Sequence, residues 1–181
     1  GYMVLDVEPF DLHAALSSVL SLVRERAKKS GIQLVFDCPE TITTLIGEEK
    51  RIKQAVLKLL SNALTFTPSG GTVTLSAKEE EDVMIITVQD NGEGIAEDDQ
   101  QAIFDKFYRT EAARITGRAG AGLGLSIVKN FVELHGGSIT LDAMPIQFTA
   151  PVTARQTNRL GEDAEEADPT TLGGHFEEED A

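Results

Sequence analysis

Apolar residues recur at helical spacing in three stretches. Over residues 11–30, Leu12, Leu16, Val19, Leu20 and Val23 form one stripe with a 3.6-residue period. Asp11 is the predicted N-cap. Arg24, Arg26, Lys28 and Lys29 fall near the end of this helix, where its dipole favours cations, and Gly31 is the predicted stop. Over residues 48–64, Ile52, Ala55, Val56, Leu59, Leu60 and Ala63 form a second buried face, closed by Pro68-Ser69-Gly70-Gly71. A third helix is predicted over 123–135, with Leu123, Ile127, Phe131 and Leu134 at core spacing and Gly136-Gly137 as its stop.

Between the helices the pattern shortens. Residues 32–36 read as a strand closed by Pro39. Two β-rich runs, 72–77 and 83–89, flank the polar connector Lys78-Glu79-Glu80-Glu81-Asp82 and predict a hairpin. Residues 97–108 predict a short helix carrying Ile103, Phe104 and Phe107. Residues 109–121 are small, polar and basic with interspersed glycine, and read as a mobile loop. Residues 138–142 predict a last strand. Periodicity fades beyond Met144, which sets one domain at 1–145 and a divergent segment with a tail at 146–181. Hairpins stand where a doubly wound sheet would need crossovers. The expected fold is a two-layer α/β sandwich, a mixed sheet with helices on one face.

Composition adds an exclusion. The 181 residues are 41% hydrophobic and 25% charged, as in a soluble globular domain, and no apolar run is long enough to span a membrane. Of the net charge of −14, nine acids lie in 161–181 without one Lys or Arg, leaving 21 acids against 16 bases in 1–160. The tail composition argues for disorder, and the acidic body disfavours nucleic acid or an anionic membrane as partner. A lone cysteine, Cys38, excludes an internal disulfide. The first residue is Gly rather than Met, so the chain reads as part of something longer.

Four stations carry candidate chemistry. They are Lys58-Leu59-Leu60-Ser61-Asn62-Ala63-Leu64-Thr65; Asp90-Asn91-Gly92-Glu93-Gly94-Ile95; Phe104-Asp105-Lys106-Phe107-Tyr108-Arg109; and Gly120-Ala121-Gly122-Leu123-Gly124-Leu125-Ser126-Ile127-Val128-Lys129. An Asp ending an apolar strand before alternate glycines makes a turn that a ligand can approach closely, and its carboxylate can accept from an exocyclic amine such as that of adenine. Taken alone, it is equally an ordinary turn. A glycine-rich loop entering a helix offers amides to an anion. Its spacing is not that of a Walker loop, since no Gly-Lys-Ser/Thr follows. Asn62 is the polar exception on an apolar helix; its amide oxygen suits a hard cation, although a buried Asn is more often a satisfied structural residue.

In this order and spacing, the four stations resemble the N box, first glycine box, F box and second glycine box of the catalytic and ATP-binding domain of two-component sensor histidine kinases. That domain belongs to the wider gyrase, Hsp90, histidine kinase and MutL superfamily. Phe10-Asp11-Leu12, Phe66-Thr67-Pro68-Ser69-Gly70-Gly71 and His135-Gly136-Gly137 resemble it too, so that the likeness runs from about Glu8 to Asp142. The resemblance implies a Bergerat-type sandwich with ATP and Mg²⁺ as cofactors. It assigns Asp90 to the adenine amine and Asn62 to Mg²⁺. Nucleotide contacts fall to Gly92, Gly94, Ile95, Lys106, Tyr108, Gly120, Gly122, Leu123, Gly124 and Leu125, with residues 106–121 as lid. Arg109 is the candidate to meet the γ-phosphate, so that Asn62, Arg109 and Lys58 form the catalytic set. The logic is that of phosphoryl transfer by positioning and charge neutralisation.

Three departures qualify this. Lys58 stands where the family carries a second Asn, one turn before Asn62, and could contact phosphate or repel Mg²⁺. Thr65 stands where the family carries Lys, which removes an expected phosphate contact. A lysine at 58 also argues against ATP hydrolysis as the main activity, because gyrase-like and Hsp90-like enzymes carry a general-base Glu there. After Asp142, Met144-Pro145-Ile146-Gln147-Phe148-Thr149 lacks the expected glycine hairpin. Neither His13, His135 nor His175 has the setting of a phosphoacceptor. The resemblance therefore implies partners outside this chain: a helical dimerisation domain carrying the acceptor His, and a response regulator. It further implies a cytoplasmic location and a monomeric fragment. A degenerate, regulatory module with weak or Mg²⁺-independent nucleotide binding is the alternative raised by Lys58 and Thr65.

Overall fold

A computed structural model of the chain describes residues 4–42, 44–81, 83–92, 94, 99, 102–105, 124–141 and 145–151, with side chains to residue 139. Their elements are β1 (Glu8–Asp11), α1 (Leu12–Lys29), β2 (Gln33–Asp37), β3 (Thr44–Gly47), α2 (Glu49–Phe66), β4 (Thr72–Glu80), β5 (Val83–Asp90), a 3₁₀ turn (Ala102–Phe104), α3 (Gly124–Leu134), β6 (Ser138–Leu141) and β7 (Pro145–Pro151). The main sheet has the order β2-β4-β5-β7-β6, with β2 parallel to β4 and every other pair antiparallel. The mixed sheet under helices is the expected two-layer α/β sandwich.

Alternation along the two central strands decides which face is covered. Val73, Leu75 and Ala77 of β4 are buried opposite Asp90, Val88 and Ile86 of β5, while of the residues between them Thr74, Ser76 and Thr87 are half-buried and Gln89 is exposed. The covered face meets Leu12, Leu16, Val19 and Val23 of α1 and Ile52, Val56, Leu59 and Leu60 of α2 in one core. Closing this core removes whole side chains from water, about 1.5–3 kcal/mol each in transfer terms. Local signals fix the helix ends. The Asp11 carboxylate accepts from the Ala14 amide at 3.0 Å, and the Ser30 and Gly31 amides close the last turn of α1 onto Arg26 and Lys28.

Four features differ from the sequence reading. First, Lys78, Glu79 and Glu80 continue β4 rather than form a connector; their exposed side chains read as loop although their backbone pairs with β5. Second, α3 is rotated about its axis. Val128 and Val132 are fully buried whereas Ile127 is exposed. The helix is apolar on several flanks, so two phases fit its pattern, and the sheet selects Val128 and Val132. Third, β1 and β3 form a separate antiparallel pair that no periodicity in four-residue segments announces. Fourth, β7 lies inside the sheet, bonded to both β5 and β6. The sheet therefore runs through Pro151, past the boundary drawn at 145. Of the short helix predicted over 97–108, the described residues hold a 3₁₀ turn at 102–104 with Ile103 buried, and the rest of it but for Asp99 and Asp105 lies outside them; the lid at 106–121 and the tail lie outside the described residues.

Candidate functional site

The site forms where α2 ends against the last residues of β5. The Asp90 carboxylate accepts from the Gly92 amide at 2.9 Å, folding the chain back directly after the strand. Asn91 fastens the same turn to β4, accepting from the Thr72 amide through its side chain at 2.8 Å. The turn lies so close to the helix that a Cβ on Gly92 would stand 2.7 Å from the Phe66 carbonyl oxygen and 3.0 Å from Asp90 Oδ1. Only glycine fits there. Gly94, exposed and at φ +75°, takes the left-handed conformation that glycine adopts without strain. The glycines of this station thus have separate jobs, clearance at 92 and backbone direction at 94.

Asn62 precedes Phe66 by one helical turn, so the two project from the same flank of α2. Eleven residues earlier, about three turns, Arg51 lies on that flank too. Its guanidinium sits 5.2 Å from the Phe131 ring centroid of α3. The flank bearing Asn62 and Phe66 is thus the one from which Arg51 reaches α3, and it ends at the Phe66 carbonyl beside the Asp90–Gly92 turn. Asn62 is half-buried and its amide makes no hydrogen bond among the described residues. Burial raises the Asp90 carboxyl above the ordinary carboxylate range, with the Gly92 amide opposing. One Asp90 oxygen is occupied by Gly92, and the other has no partner among the described residues. At the same junction the Thr67 hydroxyl is buried without a partner among them. Underused acceptors around a cleared turn are what a ligand rich in donors requires.

The remaining candidates divide. Lys58 is exposed, with no hydrogen bond or ion pair among the described residues. Gly124 opens α3, and Leu125 packs half-buried against the core. Ile95, Lys106, Tyr108, Arg109, Gly120, Gly122 and Leu123 lie outside the described residues. Among the described residues no group of three or more His, Cys, Asp or Glu could hold a metal ion. No described helix is long and apolar enough to cross a membrane.

His135 and Arg26 carry contacts that local pattern does not show. His135 Nδ1 donates to the Phe131 carbonyl at 2.7 Å, and Nε2 accepts from the Glu48 amide at 3.1 Å. This bond spans 87 residues and joins the end of α3 to the start of α2. The Glu48 carboxylate in turn accepts from the Asp6 amide and pairs with Arg51 at 2.8 Å; these bonds, Asp6 first, hold it below the usual carboxylate range. His135 is thus a structural clasp. The HGG string marks its position but not its partner.

A family profile described as histidine kinase-, DNA gyrase B- and HSP90-like ATPase matches residues 47–162. The chain belongs to that family. Among curated relatives, the signal transduction histidine-protein kinase BaeS of Escherichia coli K12 is 37% identical over 139 residues, covering 77% of this chain and 30% of its own length. The sensor-like histidine kinase SenX3 of Mycolicibacterium smegmatis is 36% identical over 140 residues, covering 77% of this chain and 36% of its own. The chain thus spans about a third of these relatives. Among solved structures, the nucleotide-free catalytic domain of histidine kinase ThkA superposes with a TM-score of 0.71 at 25% identity, over 81% of this chain and 97% of that one. Full-length ShkA in complex with AMPPNP gives 0.74 at 29% identity, over 83% of this chain and 32% of that one. The domain is of the ATP-binding catalytic type found in sensor histidine kinases, with the Bergerat fold.

Proposed function

We propose that this domain binds ATP with Mg²⁺ in the groove between α2 and α3 and delivers the γ-phosphate to a His on a helical domain of its parent protein. The observation that carries the reading is the Asp90–Gly92 turn cleared against the end of α2, with unspent acceptors on Asp90 and on Asn62 one turn before that end. The free Asp90 oxygen accepts from the adenine amine. Gly92 and Gly94 clear the backbone for the base. Gly120, Gly122 and Gly124 present amides to the phosphates where α3 begins, where the helix end favours anions. Ile95, Lys106, Tyr108, Leu123 and Leu125 complete the nucleotide contacts, and Arg109 meets the γ-phosphate.

Asn62 would hold Mg²⁺ through its amide oxygen, and the ion would supply charge neutralisation at the phosphates. Lys58, exposed one turn before Asn62, turns toward the phosphates. The acceptor His lies on a separate chain segment, followed by a response regulator, and the domain works in the cytoplasm as a monomeric unit. Neither the fold nor the comparisons favour the degenerate-module alternative.

Calorimetric titration of ATP with and without Mg²⁺, on the parent chain and on Lys58→Asn, tests the reading. Binding strengthened by Mg²⁺ in the parent supports the metal role of Asn62. Weak parent binding that ignores Mg²⁺, restored in Lys58→Asn, would turn the reading toward the regulatory module.

A further inference from the structure

Arg26 lies near the end of α1 yet spends its side chain on α2. Its guanidinium donates to Thr65 Oγ1 at 2.7 Å through Nη2 and to Ser61 Oγ at 3.4 Å through Nη1. Thr65 is itself held, because its hydroxyl donates to the Ser61 carbonyl at 2.9 Å. The guanidinium is therefore anchored at two consecutive turns of α2. Among the described residues no carboxylate pairs with it, and the side chain is exposed. An arginine has five N–H donors in a rigid fork, and here two serve the anchors. The other three have no partner among the described residues, and the charge is uncompensated there by any carboxylate. The last turn of α2 carries no basic residue of its own, and Asn62, the candidate Mg²⁺ ligand, lies three residues before Thr65, within one turn.

Resting on the nucleotide reading above, we infer that Arg26 supplies the cation that α2 lacks at position 65 and contacts the phosphate tail of the bound nucleotide. The charge comes from the neighbouring helix across a hydroxyl bridge. Guanidinium suits this task because it remains charged and pairs with phosphate through parallel N–H bonds. The rival account is that Arg26 only complements the C-terminal dipole of α2. The two accounts differ in what they do to a ligand without phosphates.

The test is calorimetric titration of adenosine and of Mg²⁺-ATP on the 181-residue chain, on Arg26→Gln and on the double variant Arg26→Gln/Thr65→Lys, with melting curves for each. Gln keeps a donor for Thr65 and removes the charge. The expected result is ATP binding weakened by about tenfold in Arg26→Gln, equivalent to about 1.4 kcal/mol. Adenosine binding should stay within about twofold, and Thr65→Lys should restore ATP affinity. An unchanged ATP affinity, or equal losses for ATP and adenosine, would overturn the inference and leave the nucleotide site standing. A parent chain that binds neither ligand would refute the nucleotide site and the inference with it.

Discussion

Asp90→Asn separates the ligand role of this residue from its structural one. Asn retains an oxygen that can accept from the Gly92 amide, now at 2.9 Å from Asp90, so the turn and the clearance beside Phe66 persist. At the other terminal atom an acceptor becomes an NH₂ donor, facing the donor amine of adenine. Hydrogen bonds to charged groups contribute about 1.5–3 kcal/mol, so ATP affinity should fall by about 10- to 100-fold. Preference for ATP over GTP, whose base presents an acceptor at the corresponding position, should shrink or reverse.

Stability should move the other way. Burial raises the Asp90 carboxyl in the folded protein, so the folded state holds this proton more tightly than the unfolded chain does. At neutral pH the ionised carboxylate costs stability, and the cost disappears as pH falls through the folded value. Asn has no such cost. The variant should therefore melt no lower than the parent at about pH 7, with any advantage shrinking as the pH enters the carboxylate range. Competition calorimetry with ATP and GTP reads the first effect, and melting curves across pH read the second. Unchanged ATP affinity with a normal melting curve would remove Asp90 from the adenine contact. A clear drop in melting temperature at neutral pH would refute the account of its burial.

Gly92→Ala should abolish ATP binding and lower stability by about 1–3 kcal/mol, because the added carbon meets the Phe66 carbonyl at 2.7 Å; urea unfolding and calorimetry check both. His135→Ala strips the Glu48 amide of its acceptor in a part-buried setting and should cost about 1–3 kcal/mol in urea unfolding. In the folded chain Cys38 should react with a thiol reagent more slowly than in the unfolded chain at about pH 8, because burial, then Asp37 and Asp11, raise its thiol; equal rates would contradict that shift.

What the sequence discloses about this domain follows from what burial records. α1, α2, β4 and β5 bury one face each, and Leu16, Leu60, Leu75 and Ile86 sit at the periods that a helix or strand imposes. The Asp90 turn was equally legible, since a carboxylate ending an apolar strand before alternate glycines is a local pattern. The features that escaped are held by backbone pairing or by contacts distant in sequence. β1 and β3 are four residues each, too short for a period to register. β7 starts and ends with proline, residues that argue against a strand unless the positions are terminal, as they are here.

Arg26 is the most instructive case. On α1 it reads as one of several cations at a helix end, and nothing near it in sequence hints at Thr65, which lies 39 residues away. Thr65 by itself reads as the loss of a phosphate-binding lysine. Only the packing of α1 on α2 brings the arginine over the threonine, so what looks like two unrelated departures becomes one exchange of charge between adjacent helices. If that exchange is functional, the fitness of a residue at 65 depends on the residue at 26. Thr65→Lys should then raise ATP affinity much more in Arg26→Gln than beside an intact Arg26, a non-additivity that unrelated surface positions do not show.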